Sequence, residues 1–574
     1  MDSNEDEERK AYEERLHRRL KILRKTFEEG NISIPNDPLI KESLLAVKYG
    51  PDGEIDLDTV NGVVRSMALA ITAMHDREEI KKSNPLDEIQ QIYFEFIDRS
   101  FGKYYETMLK QELTPHDAGV ALSSDDEMIE SITKGIPEFL DVIEKFWEGV
   151  GEAVFTHVED MHESLKGVFG GDLFPSHNEN IASKCGIYAD TIVLPDPFLR
   201  SKDLFSRWSK DDQAYYFIKH ALNLLQYKEL ACAEVEKPIV VIVPDRGALD
   251  ERERDFFVKL GKEDSLEHSS RMFGRKFAKY EELMEFAETL DTVEKVVAEI
   301  EDKSRILFGT EWSGDISEQI KNATEGENAQ IVGTNHPGYI VASHSMGRMT
   351  VSNELLVKAR RMRATPIVDA PTSWKYLNWK LEYDAGKAEK ETGLKDLHIL
   401  RGLQTLSEGE MQWLGKVPPA ALVELRKTGA LDEIREILGQ GVEDIASANP
   451  SNFFRTTDQV FENIDQAFDS HRKKIKELSS KKWKFAGTDI ASWLVVGTME
   501  VTAAATGMPV WGLATIAANQ VFEIPKLKDI PESIKELAEE SRKIKQSPVG
   551  MLFNYSTKKI NNVIHKDAKL PDTH

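Results

Sequence analysis

Acidic residues follow several short apolar segments of the sequence. Asp196 and Asp245 each come after such a segment and a proline. Glu311 and Asp369 follow two further segments. If the segments are parallel strands, these residues approach one edge of a sheet, where open α/β sheets bind ligands. We expect Asp196, Asp245 and Glu311 to bind a ligand there, with Asp196 and Asp245 holding a divalent cation such as magnesium. An aspartate beside a proline is also an ordinary turn and helix-cap device, and the sequence leaves that alternative open.

A small-residue motif stands between a predicted strand and a predicted helix, with the sequence Ser343-His344-Ser345-Met346-Gly347. It resembles the nucleophile elbow of the α/β-hydrolase family, Gly-x-Ser-x-Gly, with Ser343 in place of the first glycine. The resemblance implies that Ser345 is a nucleophile and that an acid and then a histidine follow it, an order that Asp369 and His398 meet. These three are the candidate catalytic residues. The alternative is a serine-rich turn that caps a helix.

Other chemical signatures are weak or absent. The chain has neither a Gly-x-x-x-x-Gly-Lys-[Ser/Thr] loop nor a Gly-x-Gly-x-x-Gly after a strand, and no two histidines stand four residues apart. The loop 309–315 is a candidate anion cradle or a plain connection. Two basic segments, 358–363 and 481–484, are local, and the formal charge of −25 argues against general nucleic-acid binding.

Five short apolar segments, rich in β-branched residues, are predicted to be strands: 190–194, 238–243, 305–308, 339–342 and 365–368. Continuous apolar segments are typical of strands whose two faces are both covered, as in a parallel sheet. Helical segments separate most of them, which favours a doubly wound sheet. An edge strand or a mixed sheet stays open.

The rest of the chain has mainly helical periodicity. Apolar residues recur at spacings of three and four in the first thirty residues and from about 37 to 168, and this spacing returns beyond 385. We therefore predict a multidomain, mainly α protein with a central α/β domain and a mostly parallel sheet. The predicted domains are a helical N-terminal domain at 1–168, the α/β domain at 169–385 and a helical C-terminal domain at 386–574.

The least polar part of the chain is an apolar hairpin predicted at 487–522. Between 490 and 522 the only charged residue is Glu500, and Gly507 and Pro509 interrupt the apolar residues. Two short buried helices joined at 506–509 suit this pattern better than one membrane-spanning helix. The basic segment just before the hairpin leaves membrane insertion open as the alternative.

Composition sets the class and the expected compartment. With 40% hydrophobic and 30% charged residues, the 574-residue chain has a globular composition. Its two cysteines, Cys185 and Cys232, fit neither a disulfide framework nor a zinc site. The acidic start, Met-Asp-Ser-Asn-Glu-Asp-Glu-Glu, lacks the features of a secretory signal. We expect a cytoplasmic protein.

The best functional hypothesis is a cytosolic ligand-binding or hydrolase-like α/β protein whose site lies at the C-terminal edge of the central sheet. The sequence does not decide whether the protein is an enzyme, nor which small molecule or protein partner it binds. One alternative is a non-catalytic interaction or scaffold protein. Another is an effector whose hairpin at 487–522 acts on membranes.

Overall fold

The computed structural model describes residues 2–30, 37–51, 53–171, 180–308, 315–368, 370–392, 410–415, 417–432, 434, 473, 476, 484–485, 488–489 and 495–500. The chain divides into two compact units, Met1–Leu86 and Asp87–His574. The domain boundaries near residues 168 and 385 stay predictions.

The described part of the first unit is mainly helical. It contains α1 (Asp2–Glu28), α2 (Pro38–Leu45) and α3 (Gly62–Ser83). Leu16, Leu20 and Leu23 of α1 form a buried cluster with Val64 and Ala68 of α3. This cluster confirms the amphipathic helix predicted in the first thirty residues, whose apolar residues lie on one face.

The second unit contains the central sheet and the helices around it. In chain order its elements are α4 (Leu86–Lys110), α5 (Pro115–Leu122), α6 (Asp126–Asp160), β1 (Lys166–Phe169), α7 (Ile181–Cys185), β2 (Thr191–Pro195), α8 (Pro197–Phe205), α9 (Lys210–Leu225), α10 (Lys228–Ala231), β3 (Val240–Val243), α11 (Arg246–Leu249), α12 (Glu251–Met272), α13 (Tyr280–Glu288), α14 (Val293–Glu299), α15 (Ile316–Glu325), α16 (Glu327–Val332), α17 (Pro337–Arg361), β4 (Thr365–Ile367), α18 (Pro371–Thr392), β5 (Glu410–Gly415), α19 (Pro419–Lys427), β6 (Lys484–Phe485), β7 (Thr488–Asp489) and β8 (Val495–Glu500).

The central sheet has four parallel strands in the order β3-β2-β1-β4. Gly167 of β1 lies opposite Ile192 of β2 on one side and opposite Thr365 of β4 on the other. The predicted fold class, mainly α with a central parallel α/β region, is confirmed. All four strands end at the same edge, which is called the carboxyl edge below.

Three of the five predicted strands are present, as β2, β3 and β4. The residues of β3 and the first four of β2 are all buried, which explains their continuous apolar pattern. The apolar pattern does not predict β1, because Lys166 and Gly167 interrupt it. Lys166 is nevertheless buried, since its ammonium group donates a hydrogen bond of 2.7 Å to the carbonyl oxygen of Val158.

The strand predicted at 339–342 is wrong, because these residues lie in the first turns of α17. His336 precedes this helix with an extended backbone, and Pro337 occupies its first turn. Proline favours the first turn of a helix, where its missing N–H costs nothing. This local start signal outweighs the β-branched composition of the segment.

The strand predicted at 305–308 is also wrong, since a 3-10 turn covers Lys303–Arg305 and no strand of the described chain pairs with the residues after it. Side chains of α12 and α17 bond its carbonyl oxygens instead: His268 to Arg305 at 2.9 Å, His344 to Leu307 at 2.7 Å and Arg348 to Phe308 at 3.0 Å. These donors take the place of a neighbouring strand.

Each outer strand of the central sheet has a feature that limits backbone pairing with a further strand. On β3, the side-chain amide of Gln90 from α4 donates to the carbonyl oxygen of Ile242 at 3.0 Å and accepts from its N–H at 2.8 Å. On the opposite side, β4 has three residues and contains Pro366, which has no N–H to donate. Neither outer strand therefore presents a complete row of backbone N–H and C=O groups to which a further strand could pair.

The C-terminal part of the described chain is partly helical and partly extended. The helical spacing predicted beyond residue 385 is present in α19, which begins after Pro418. Residues Val495–Glu500, by contrast, form β8, which pairs antiparallel with β5. The helical prediction is wrong at these residues, where Val495 and Val496 favour a strand. Most of the hairpin at 487–522 lies outside the described residues, so its burial or membrane activity stays a prediction.

None of the described helices has the length and apolar character that a membrane crossing requires.

Candidate functional site

Asp196 lies at the carboxyl edge after β2, as predicted, and is the N-cap of α8. One carboxylate oxygen accepts from the hydroxyl of Tyr93 at 2.8 Å and from the indole N–H of Trp147 at 2.7 Å. The other accepts from the backbone N–H of Leu199 at 2.9 Å. The residue is fully buried. Burial raises the pKa of Asp196 although these hydrogen bonds favour the charged form.

Asp245 lies at the same edge after β3 and belongs to a group of four buried charged residues, the charge quartet, made of Arg200, Asp245, Glu354 and Lys358. Arg200 donates to Asp245 at 2.7 Å and to both oxygens of Glu354 at 2.6 and 3.1 Å. The ammonium group of Lys358 bonds the carboxylate of Glu354, and its nitrogen lies 3.8 Å from a carboxylate oxygen of Asp245. Asp245 also caps α11 through the N–H of Gly247 at 2.9 Å.

The charge quartet is balanced, with two cations and two carboxylates, and at most 12% of any of its four side chains is exposed. Burial alone would raise the pKa of Glu354, but the charges of Arg200 and Lys358 outweigh it and lower this pKa to about 2. Each charge is thus stabilised by opposite charge inside the protein. We conclude that the quartet joins β3 to α8 and α17.

The predicted magnesium site does not fit these contacts. A metal bound directly to Asp196 or Asp245 would have to replace the hydrogen bonds and ion pairs that hold each carboxylate. Within the described ranges, no group of three or more His, Cys, Asp or Glu side chains is placed to hold a metal ion. Glu311, Asp369 and His398 lie outside the described residues.

Ser345 lies inside α17, one turn beyond Val341, and not at a strand-to-helix turn. Its hydroxyl donates to the carbonyl oxygen of Val341 at 3.1 Å and contacts the hydroxyl of Tyr376, and 2% of the residue is exposed. A Cβ at Gly347 would meet open space, so the glycine does not relieve the crowding that an elbow requires. The elbow geometry implied by the resemblance is therefore wrong, and the triad stays without structural support.

His344, next to Ser345, bonds the segment that ends at Phe308. It is not placed as a general base for the serine. Its Nε2 carries the proton, because it bonds the carbonyl oxygen of Leu307. Burial, together with the charge of Arg348, lowers the pKa of His344 to about 3. His268 likewise bonds Arg305, and burial lowers its pKa to about 3. Both rings are neutral at physiological pH.

The strand order reverses between β1 and β4, since β2 and β3 extend from one side of β1 while β4 lies on the other. The chain leaves β1 through Gly170 and Gly171. Gly171 has a φ of +81°, and a Cβ there would lie 3.1 Å from Val368 and 3.3 Å from Leu355. Only glycine suits this position, because the backbone is left-handed and the neighbours are close. Where the strand order reverses, the backbone at Gly171 therefore lies close to the side chains of Val368 and Leu355.

Arg348 brings a positive charge toward the start of α18, the helix that follows β4. Its guanidinium group donates to the hydroxyl of Ser373 at 3.1 Å and to the carbonyl oxygen of Phe308 at 3.0 Å. Ser373 lies in the first turn of α18 and is fully buried. A helix start and a guanidinium group both favour anions.

No sequence motif points to Tyr93, Trp147, Arg200, Glu354 or Arg348 as residues of the site. Two local signals point toward the quartet: Arg200 stands four residues after Asp196 in a helix that starts at the strand end, and Glu354 and Lys358 stand four residues apart on one helix. No local pattern links Tyr93 to Asp196, which are 103 residues apart.

Comparison with known proteins gives no relative for this arrangement: no protein-family model, no curated protein and no solved structure matches the chain.

Proposed function

We propose that the protein binds a small molecule with an anionic group, such as a phosphate, at the carboxyl edge over β1 and β4. The observation that carries the proposal is the strand order β3-β2-β1-β4 of an all-parallel sheet. Open α/β sheets bind ligands outside the carboxyl ends of the strands, where the strand order reverses. In this sheet the reversal lies between β1 and β4.

Electrostatics support an anionic ligand over a cationic one. At the β2 and β3 end of the edge, Asp196 and Asp245 already have internal partners. At the β4 end, the guanidinium group of Arg348, which bonds Ser373 and Phe308, lies beside the first turn of α18. A planar guanidinium group bonds phosphate and carboxylate oxygens well. The proposed function is ligand binding, and it assigns no reaction to Ser345.

The proposal keeps the cytoplasmic location predicted from the sequence. Cys185 and Cys232 are both thiols in the structure, which suits a reducing compartment.

Calorimetric titration of the full chain with pyrophosphate, ATP and NAD⁺ tests this function. At least one of these probes is expected to bind, with a dissociation constant of 1 mM or tighter, and to stabilise the protein against heat. In Arg348→Ala the binding is expected to weaken by about ten-fold or more, as for the loss of a charged hydrogen bond.

Arg360→Ala is the matched control, because Arg360 is exposed on the same helix. This variant is expected to bind the probe as the unaltered chain does. If none of the three probes binds the unaltered chain, or if both variants bind equally well, the proposal is wrong.

A further inference from the structure

A cluster of three polar side chains, away from the carboxyl edge, joins α5 to α9. It consists of His116 on α5 with Tyr215 and Lys219 on α9. The Nδ1 atom of His116 lies 2.7 Å from the hydroxyl oxygen of Tyr215, and the ammonium group of Lys219 lies 3.0 Å from the same oxygen. His116 is exposed, and the other two residues are half-buried.

The directions of these hydrogen bonds follow from the chemistry of the groups. An ammonium group only donates, so the hydroxyl of Tyr215 accepts from Lys219. The hydroxyl proton then points toward Nδ1 of His116, which accepts in the neutral tautomer that carries its proton on Nε2. Tyr215 therefore has a positive charge on one side of its oxygen and a proton acceptor on the other.

Packing holds the tyrosine in this position. Gly119 of α5 faces the ring, and a Cβ there would lie 3.1 Å from its edge. Tyr215 and Lys219 stand four residues apart and so share one face of α9. The ammonium nitrogen of Lys219 also lies 5.1 Å from the centre of the Tyr215 ring. The hydroxyl is thus held between His116 and Lys219.

Three acidic residues that are close in sequence to the cluster are bonded to other residues or exposed. Asp117, beside His116, is bonded to Thr114 in a capping box. Asp212 bonds Ser209 and Gln330. Asp211, one turn before Tyr215, is exposed. The ammonium group of Lys219 therefore brings a positive charge into direct contact with the tyrosine oxygen.

We propose that Tyr215 is a nucleophilic tyrosine, activated by Lys219 and His116, and a site for covalent modification by electrophilic sulfonyl or phosphoryl groups. With a sulfonyl fluoride, the tyrosine oxygen forms a bond to sulfur while the sulfur–fluorine bond breaks. Fluoride leaves, and the phenol proton passes to Nδ1 of His116. The nearby ammonium group stabilises the phenolate that attacks. This site is independent of the proposed ligand at the carboxyl edge.

Labelling of the full chain with an aryl sulfonyl fluoride, followed by peptide mass spectrometry, tests the proposal. Tyr49 is the internal reference, because 54% of it is exposed. At neutral pH we expect Tyr215 to be labelled about ten-fold faster than Tyr49, because Lys219 stabilises the attacking oxygen and His116 accepts its proton. Its rate is also expected to reach half of its maximum at a lower pH than the rate at Tyr49.

Variants separate activation from simple exposure. Lys219→Met is expected to slow labelling of Tyr215 to about the reference rate and to move its pH profile upward, while Lys219→Arg keeps most of the rate. His116→Leu is expected to slow labelling as well, and Tyr215→Phe removes it. Circular dichroism checks that each variant is folded. If Tyr215 reacts no faster than Tyr49, or if Lys219→Met leaves rate and pH profile unchanged, the proposal is wrong.

Discussion

Asp196 and Asp245 occupy the same position, directly after neighbouring parallel strands, but their surroundings differ. Asp196 accepts hydrogen bonds from neutral donors, the groups of Tyr93, Trp147 and Leu199. Asp245 is paired with two cations of the charge quartet. The position of an aspartate at the end of a strand therefore does not predict its electrostatic role. That role depends on what distant helices bring to the edge, and substitutions at the two sites should have different costs.

The largest effect is expected from Arg200→Met. This change leaves two buried carboxylates with Lys358 as the remaining cation of the quartet, and we expect the free energy of unfolding to fall by about 3 to 5 kcal/mol. Urea denaturation measures it. The control is Arg252→Met, since the Arg252 side chain is 90% exposed and its loss should cost less than about 0.5 kcal/mol. Similar costs for both variants would show that the quartet contributes little.

The direct comparison is between Asp245→Asn and Asp196→Asn. The first removes a charge that balances Arg200, and we expect it to cost about 2 to 3 kcal/mol. The second removes a carboxylate held by neutral donors, and asparagine is itself a good N-cap, so about 1 kcal/mol is expected. Urea denaturation of both variants checks the order. An equal or larger cost at Asp196 would contradict it.

The pH dependence of the two regions should have opposite signs. The pKa of Asp196 is raised by burial, so its contribution to stability is lost as the pH rises through its folded-state value. Burial would raise the pKa of Glu354 too, but its cations lower it to about 2, so its contribution is present above the ordinary value and lost toward low pH.

Measurement of the free energy of unfolding between about pH 3 and pH 6 tests these signs. The titration of one proton changes this free energy by at most about 1.4 kcal/mol per pH unit. As the pH rises, the unaltered chain should lose stability relative to Asp196→Asn and gain stability relative to Glu354→Gln. The same slope for both pairs would show that the two carboxylates have similar environments.

The smallest effect is expected from Tyr93→Phe. The change removes one donor to Asp196 but keeps the ring, which packs against Trp147 with centroids 5.1 Å apart. We expect a loss of about 0.5 kcal/mol, because Trp147 and Leu199 still donate to the carboxylate. Thermal unfolding measures it. A loss as large as that of Arg200→Met would mean that Asp196 depends on this one hydroxyl.

The sequence predicts the sheet where a strand is buried on both faces and ends at a polar turn. This condition holds for β2 and β3. The strand β1 is buried as well, but Lys166 and Gly167 interrupt its apolar pattern, and no local pattern shows the hydrogen bond through which Lys166 is buried. The segments 305–308 and 339–342 have the composition of strands, but side chains of α12 and α17 bond the first and a proline starts a helix at the second.

The sequence predicts at which edge of the sheet the candidate site lies. It does not predict which side chains contact the residues of the site. Asp196 and Asp245 lie at the carboxyl edge as expected, because the end of a parallel strand fixes their place. Their partners come from elements far along the chain, such as Glu354, which is 154 residues from Arg200. Distance along the sequence is why a pattern of local spacing cannot find them.

The amide of Gln90 has a consequence for association. By bonding both backbone groups of Ile242, it acts as a one-residue substitute for a neighbouring strand. The opposite outer strand has three residues and a proline. A partner that adds a strand, or a second copy that joins sheet to sheet, would find no continuous backbone row on either side of the central sheet. Any association with this sheet must therefore use side chains and helices, and the sheet is protected from growing into an aggregate.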